Sequence, residues 1–197
     1  MDTDAQDSLL ETMASLLSED QAKVCEGRFS QDECFTALKG MAHSKAPSSD
    51  GLPMEFYVKF WHVLGADLVL SLTSSFYTVS PFLFQRRGLI TPSFKQGDRL
   101  DLKNWRPITL LNIDYKIASR ALAERLRQVI HAVVAPEQSC GVHGRYVSEN
   151  ISFLHDVVHY VSSSNVPVAI LSLDQENAFD RVDWSFLRRT LSHGLRP

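Results

Sequence analysis

The sequence has 197 residues, of which 44% are hydrophobic and 22% charged, with only 9 glycines and 8 prolines. This composition excludes disordered, collagen-like and low-complexity chains, and the length is sufficient for one substantial hydrophobic core. The apolar runs are far shorter than the roughly 20 residues of a membrane helix. The first residues, Met1-Asp2-Thr3-Asp4, are acidic where a signal peptide is basic. We therefore expect an intracellular protein with reduced cysteines, no disulfide partner and no membrane association.

The net charge of −3 is unevenly distributed along the chain. Residues 1–85 carry a net charge of −7, residues 86–145 carry +6, and residues 146–197 carry −2. A basic segment between acidic ends is typical of a surface that faces phosphates, although basic faces that contact only water are common. Charge alone therefore leaves nucleic acid as one possible partner among several.

The first half of the chain predicts mainly helices. Apolar residues at i, i+3, i+4 and i+7 predict one amphipathic helix over residues 3–24, and a capping box starting at Ser30 predicts a short helix that ends near Gly40. Segment 45–51 is rich in Pro, Ser and Gly and predicts a loop. Two helical stretches should follow, one that begins at Pro53 and one that covers Leu68–Tyr77.

The second half predicts both strands and helices. Two short strands joined by a loop fit the segment from Gly88 to Ile108, and a helix of about 22 residues should follow from Ile113. A further helix is expected over Ser148–Val161. The almost continuously apolar run Val166–Leu173 predicts a strand buried on both faces, and Asp183 should begin the last helix.

Two places in this pattern could carry chemistry. A carboxylate at the tip of a buried strand is the way a divalent-metal enzyme presents a ligand, which makes Asp174 the leading metal candidate; a cap that binds loop amides is the alternative. His155 and His159 have the i, i+4 spacing of a zinc motif, but Asp156 stands in place of its Glu. Two histidines without a metal are the better interpretation of that pair.

Four blocks in the same order resemble the reverse transcriptases of non-LTR (LINE-type) retrotransposons. These are Lys45-Ala46-Pro47-Ser48-Ser49-Asp50-Gly51-Leu52-Pro53, then Asn104-Trp105-Arg106-Pro107-Ile108 with its continuation to Ile117, then Gln138 to Arg145, and a motif A over Ser172 to Val182. Two positions depart from the usual pattern: Ser48 replaces a Gly, and Asn177 replaces the Lys of motif A.

The resemblance implies an α+β fold, a partial right-hand polymerase with helix-rich fingers and an incomplete palm sheet. An N-terminal helical extension would cover residues 1–40, fingers 41–135, and a partial palm 136–197. It also implies RNA-templated DNA synthesis on a DNA primer with dNTPs and Mg²⁺.

The same resemblance implies roles for particular residues. Asp174 would be the catalytic Mg²⁺ ligand. Four residues would bind the incoming nucleotide, Arg106 and Lys95 through its triphosphate and Phe179 with Ala178 beside its sugar. A third group would contact the template or other nucleic acid: Gln138, Gly141, Arg145, Lys116, Arg120 and Arg127.

The sequence contains no motif B and no A-D-D turn of motif C, which carries the other metal-binding aspartates in the family. Two metal ions with the carboxylates of one motif are under-coordinated. We therefore expect this polypeptide alone to have no polymerase activity. Two alternatives remain open: a nucleic-acid-binding module without chemistry, and a decayed element fragment in which the run Val166–Leu173 is an exposed edge.

Overall fold

The computed structural model describes residues 3–11, 17–78, 87–164, 167–173 and 181–195. Its elements follow in the order α1 (Thr3–Glu11), α2 (Glu19–Cys25), α3 (Gln31–Lys39), α4 (Met54–Tyr77), β1 (Gly88–Phe94), β2 (Trp105–Leu111), α5 (Ile113–Val133), α6 (Val147–Ser164) and α7 (Trp184–Gly194). This combination of helices with a small sheet agrees with the predicted α+β class. The chain divides into two compact units, one of residues 27–125 and one of residues 1–26 with 126–197.

The core of the unit formed by residues 27–125 comes from α3, α4 and the first half of α5. As predicted, α3 begins with a capping box: the Ser30 hydroxyl accepts from the Glu33 amide at 3.1 Å, and the Glu33 carboxylate accepts from the Ser30 amide at 3.3 Å. Such reciprocal bonds satisfy two amides that a helix start leaves open. The buried side chains are Phe29, Cys34, Ala37, Leu38, Met54, Tyr57, Val69, Leu72, Ile113, Ile117 and Ala121.

The buried thiol of Cys34 should be chemically inert in the folded protein. Burial, reinforced by the negative charge of Glu33, raises the pKa of Cys34 to about 11, whereas Cys140 is exposed. Because the thiolate is the reactive form, we expect iodoacetamide near pH 8 to alkylate Cys140 and to leave Cys34 unmodified, as read by peptide mass spectrometry. All three cysteines should react in urea. Equal alkylation of Cys34 and Cys140 without urea would contradict this core.

The prediction of two separate helical stretches after Pro53 is wrong, because α4 is one continuous helix. Gly65 lies within this helix and is buried. A Cβ atom at Gly65 would lie 2.8 Å from the indole of Trp61, one turn earlier. The glycine therefore makes room for the indole, and the backbone hydrogen bonds of the helix continue through it.

A second correction concerns the N-terminus, where one helix was predicted over residues 3–24. The structure has α1 and, separately, α2, which begins after Ser18. The Ser18 hydroxyl accepts from the Gln21 amide at 3.3 Å, and the Gln21 side chain accepts from the Ser18 amide at 3.0 Å. This capping box starts a new helix inside the apolar repeat, which by itself contains no information about where a helix begins.

The predicted pair of strands is confirmed as an antiparallel hairpin. In its register Ser93 faces Arg106 and Phe94 faces Trp105. Most residues of both strands are exposed. The predicted helix from Ile113 is also confirmed as α5, and its repeat explains why it forms: Ile113, Ile117 and Ala121 are buried at successive i+4 positions.

The prediction of a buried strand over Val166–Leu173 is wrong for residues 167–173, which are the part of this run that the structure describes. These residues have no strand structure and are exposed, Leu173 to 84%. A strand needs a neighbour to pair its N–H and C=O groups, and among the described residues the two strands of the structure pair only with each other. The apolar run therefore has the composition of a buried strand without the partner that would make it one.

The helices at the end of the chain agree with the sequence. α6 covers the predicted helix, and α7 begins at the predicted Asp183, whose carboxylate accepts from the amides of Ser185 and Phe186 at 2.8 and 2.9 Å. The Ser185 hydroxyl also donates to this carboxylate and contributes most to lowering the pKa of Asp183. The bonds from the two amides lower the pKa further. Arg189 of α7 pairs with Asp7 of α1.

Candidate nucleic-acid interface

The hairpin exposes the two cations that the sequence assigns to the incoming nucleotide. Arg106 lies on β2 opposite Ser93, and Lys95 follows the last residue of β1, with its amide donating to the Asn104 carbonyl at 2.8 Å. Partners across an antiparallel pair share a face, and so do residues two apart along a strand. Ser93 and Arg106 therefore project from the same face. Lys95 lies two residues after Ser93, just beyond the end of β1, and both cations are exposed.

The loop that joins the two strands is internally bonded. The Asn104 amide group donates to the Asp98 carbonyl at 2.9 Å, and the Trp105 indole donates to the Arg99 carbonyl at 2.9 Å. Gly97 has a φ of +92°, a conformation that other residues rarely adopt. These bonds hold the loop beside Lys95 in one conformation, which reduces the entropy lost when a ligand binds.

Three further cations line one cavity of about 450 Å³ in the unit of residues 27–125. Lys116 and Arg120 are one turn apart on α5, and Lys45 comes from the loop before α4. The guanidinium of Arg120 lies so close to Gly40 that a Cβ atom there would be 2.8 Å from it. The remaining lining is mainly apolar: Met41, Ala42, Ala46, Met54, Leu111, Ile113, Tyr115 and Ser119.

The loop that carries Lys45 is anchored on both sides of that residue. The Ser44 amide donates to the Glu55 carboxylate at 2.8 Å, which lowers the pKa of Glu55. The buried Ser48 hydroxyl donates to the Leu110 carbonyl of β2 at 2.6 Å. The serine that replaces the usual glycine of this block thus supplies a tether that glycine cannot form.

The segment that resembles the template-contacting block contains a dense set of hydrogen bonds around Arg145. Its Nη1 donates to the carbonyls of Ala135 and Gln138 at 2.5 and 2.9 Å. Its Nη2 donates to the carbonyls of His131 and Val134 at 3.1 and 3.0 Å. These carbonyls belong to the end of α5 and the turn after it, where backbone acceptors lack helical partners. Arg145 is therefore a cap for α5, a role that the sequence analysis missed.

The other predicted contacts in this region are accessible. Gln138 is exposed, and its side chain donates a long hydrogen bond of 3.4 Å to the Cys140 carbonyl. Gly141 has a φ of +80°, and no atom of the described residues lies within 4 Å of a Cβ position there, so this exposed glycine is open at a turn. Arg127 is exposed on α5 and is not part of the cavity that Lys116 and Arg120 line.

Three predicted site residues, Asp174, Ala178 and Phe179, lie outside the described residues, and their roles stay predictions. The exposure of residues 167–173 removes the argument that placed Asp174 at the tip of a buried strand, which leaves the motif resemblance as its support. In the described ranges, no group of three or more His, Cys, Asp or Glu side chains could hold a metal ion. His155 and His159 are exposed positions of α6.

Arg125 is the buried charge that the sequence analysis did not single out. Its side chain is 10% exposed and its Nε and Nη2 donate to the two oxygens of Glu33 at 2.5 and 2.8 Å. The same guanidinium donates to the carbonyls of Gly27 and Arg28 and lies 5.2 Å from the ring centre of Phe29. A signal existed: Arg125 occupies the next i+4 position after Ala121 in the apolar repeat of α5, where a charge requires a buried partner.

Comparisons with known proteins agree with the four sequence blocks. The family model of reverse transcriptase (RNA-dependent DNA polymerase) matches residues 94–194. The chain is 40% identical over 176 residues to the transposon TX1 uncharacterized 149 kDa protein of Xenopus laevis, an alignment that covers 89% of this chain and 14% of that protein. It is 30% identical over 164 residues to the retrovirus-related Pol polyprotein from type-1 retrotransposable element R2 of Popillia japonica, covering 82% of this chain and 22% of the relative.

The chain therefore belongs to the reverse transcriptase family. The two transposon relatives confirm the predicted resemblance to the enzymes of non-LTR retrotransposons. The chain spans less than a quarter of the length of either relative. Every helix among the described residues is too short or too polar to cross a membrane.

Proposed function

We propose that the chain supplies the nucleotide- and template-contacting front part of an RNA-directed DNA polymerase with the right-hand fold. In this proposal residues 1–40 are an N-terminal extension, 41–135 the fingers, and 136–197 the first part of the palm. The observation that carries it is the exposed hairpin, in which Arg106 on β2 and Lys95 just after β1 are both exposed beside an internally bonded loop. In this proposal the chain acts inside the cell, in the cytoplasm or nucleus, where template and dNTPs are present.

The hairpin cations are suited to a triphosphate. A guanidinium binds phosphate oxygens through two parallel hydrogen bonds, and Lys95 adds a second positive charge. Phe179, with Ala178 before it, would lie against the sugar of the incoming dNTP. Asp174 would hold Mg²⁺, which in such enzymes activates the primer 3′-hydroxyl and neutralises the triphosphate.

The template strand would contact the remaining basic and turn residues. Lys116, Arg120 and Arg127 carry positive charge along α5, and phosphate contacts are the main source of affinity for nucleic acids. Gln138 and Gly141 offer an amide and an open backbone at the turn after α5. The guanidinium of Arg145 already donates four hydrogen bonds to carbonyls. Arg145 would therefore support this turn and present its neighbours to the template.

We expect the purified chain to bind an RNA template annealed to a DNA primer and to incorporate no dNTP, since the sequence contains the carboxylates of motif A alone. The affinity should fall steeply with salt, and the double variant Arg106→Ala/Arg127→Ala should bind about tenfold or more weakly with a shallower salt slope. Fluorescence anisotropy measures the affinity, and a primer-extension gel measures incorporation.

Lys59→Ala is the matched control, because Lys59 is an exposed cation of α4 outside the proposed interface. It should bind like the unmodified chain. Primer extension above a heat-killed control would overturn the expected inactivity and leave the interface intact. Salt-independent binding, or an unchanged affinity in the double variant, would overturn the interface. Binding without chemistry is the second candidate function, and the exposure of the cations Lys95, Arg106 and Arg127 favours it.

A further inference from the structure

The cavity lined by Lys45, Lys116 and Arg120 has an unusual combination of properties. Its volume of about 450 Å³ lies in the range of small-molecule sites. None of the described residues that line it is acidic, so the lining carries three positively charged side chains and no negatively charged one. Its apolar lining includes Met41, Met54 and Ile113. A ligand that combines negative charge with an apolar surface would match this lining.

We propose that this cavity binds one unstacked nucleotide of single-stranded nucleic acid. The base would pack against the methionines and Ile113, since a polarisable thioether packs well on an aromatic ring. The adjoining phosphates would be bound by Lys45, Lys116 and Arg120. This site rests on the proposed function, because it assumes that the strand contacts Lys116 and Arg120 of α5, and it adds Lys45 and an apolar pocket to those two contacts.

The site is organised before a ligand arrives. The bonds from Ser44 to Glu55 and from Ser48 to Leu110 anchor the backbone on both sides of Lys45. Arg120 lies against the end of α3 at Gly40, and its contact with Glu124 is an exposed pair at 3.8 Å. Such exposed pairs contribute little to stability, so a phosphate can replace the carboxylate at small cost.

The test separates the charge of the site from its volume. Ala46→Trp places an indole on the exposed rim and fills the cavity, whereas Lys45→Ala removes one charge. With a fluorescein-labelled single-stranded oligoadenylate RNA, Ala46→Trp should weaken binding about tenfold and leave the salt slope unchanged. Lys45→Ala should weaken binding about threefold or more and reduce the slope by about 0.7, the contribution of one phosphate of a single strand.

Ala66→Trp and Lys59→Ala change exposed residues of α4 away from the cavity and should bind like the unmodified chain, with circular dichroism confirming that all variants fold. AMP should compete for the cavity where inorganic phosphate at the same concentration does not. If the chain binds the RNA and Ala46→Trp binds equally well, the cavity site is wrong while the proposed function stands. If the chain binds no RNA, both are wrong.

Discussion

Replacing Arg125 with alanine should lower the free energy of unfolding by about 3–5 kcal/mol, the largest effect that we expect from a single substitution. The variant leaves the Glu33 carboxylate and the carbonyls of Gly27 and Arg28 without the donors that satisfy them. A partly buried carboxylate without its cation carries its desolvation cost uncompensated. Urea unfolding followed by circular dichroism measures the change.

Two further variants show whether the ion pair or the packing is responsible. Arg120→Ala removes an arginine from the same helix that pairs at 3.8 Å with Glu124 near the surface, and it should change stability by less than about 1 kcal/mol. Arg125→Met/Glu33→Gln replaces the pair by uncharged groups and keeps an acceptor for the capping box of α3. This double variant should be more stable than Arg125→Ala. An Arg125→Ala protein as stable as Arg120→Ala would contradict the buried pair.

Replacing Arg145 with alanine should have the second largest effect, a loss of about 2 kcal/mol in the free energy of unfolding. Four carbonyls at the end of α5 and in the following turn lose a charged donor, and hydrogen bonds from charged groups are among the stronger ones. The positive charge of Arg145 also interacts favourably with the negative end of the dipole of α5. Thermal unfolding should therefore show a lower Tm.

Gln138→Ala is the matched control for Arg145→Ala, since both residues belong to the block that resembles the template-contacting motif. The Gln138 side chain is exposed, and its bond to the Cys140 carbonyl is long, so its removal should weaken RNA binding and leave the Tm unchanged. Arg145→Ala should lower the Tm and weaken binding together. If Arg145→Ala weakened binding at an unchanged Tm, Arg145 would be a direct contact to nucleic acid and its capping role would be wrong.

Local signals in the sequence were sufficient for several elements. The capping box at Ser30, the Asp183 cap and the apolar repeat of α5 predicted helices that the structure contains. Short-range hydrogen bonds and helical periodicity determine such elements, so a few neighbouring residues carry the information. The four motifs likewise predicted the family, because they are strings of residues that need no structure to be compared.

Other features depended on residues distant in sequence, and there the sequence analysis failed. The run Val166–Leu173 has strand composition, but strand formation needs a partner, and residues 167–173 have none in the described part of the chain. Arg125 is stabilised by Glu33, 92 positions away, and Ser48 reaches Leu110, 62 positions away. The resemblance implies a template contact for Arg145, and only the structure shows that its hydrogen bonds go to the end of α5.

The sequence by itself thus determined the family, most of the helices, the hairpin and the residues that carry positive charge. Only the tertiary structure decided what those charges do. It buried Arg125 against Glu33, used Arg145 as a helix cap, and brought Lys45 to the same cavity as Lys116 and Arg120. The physical reason is that a guanidinium or an ammonium group has the same chemistry in every sequence, whereas its role depends on the acceptors that folding places around it.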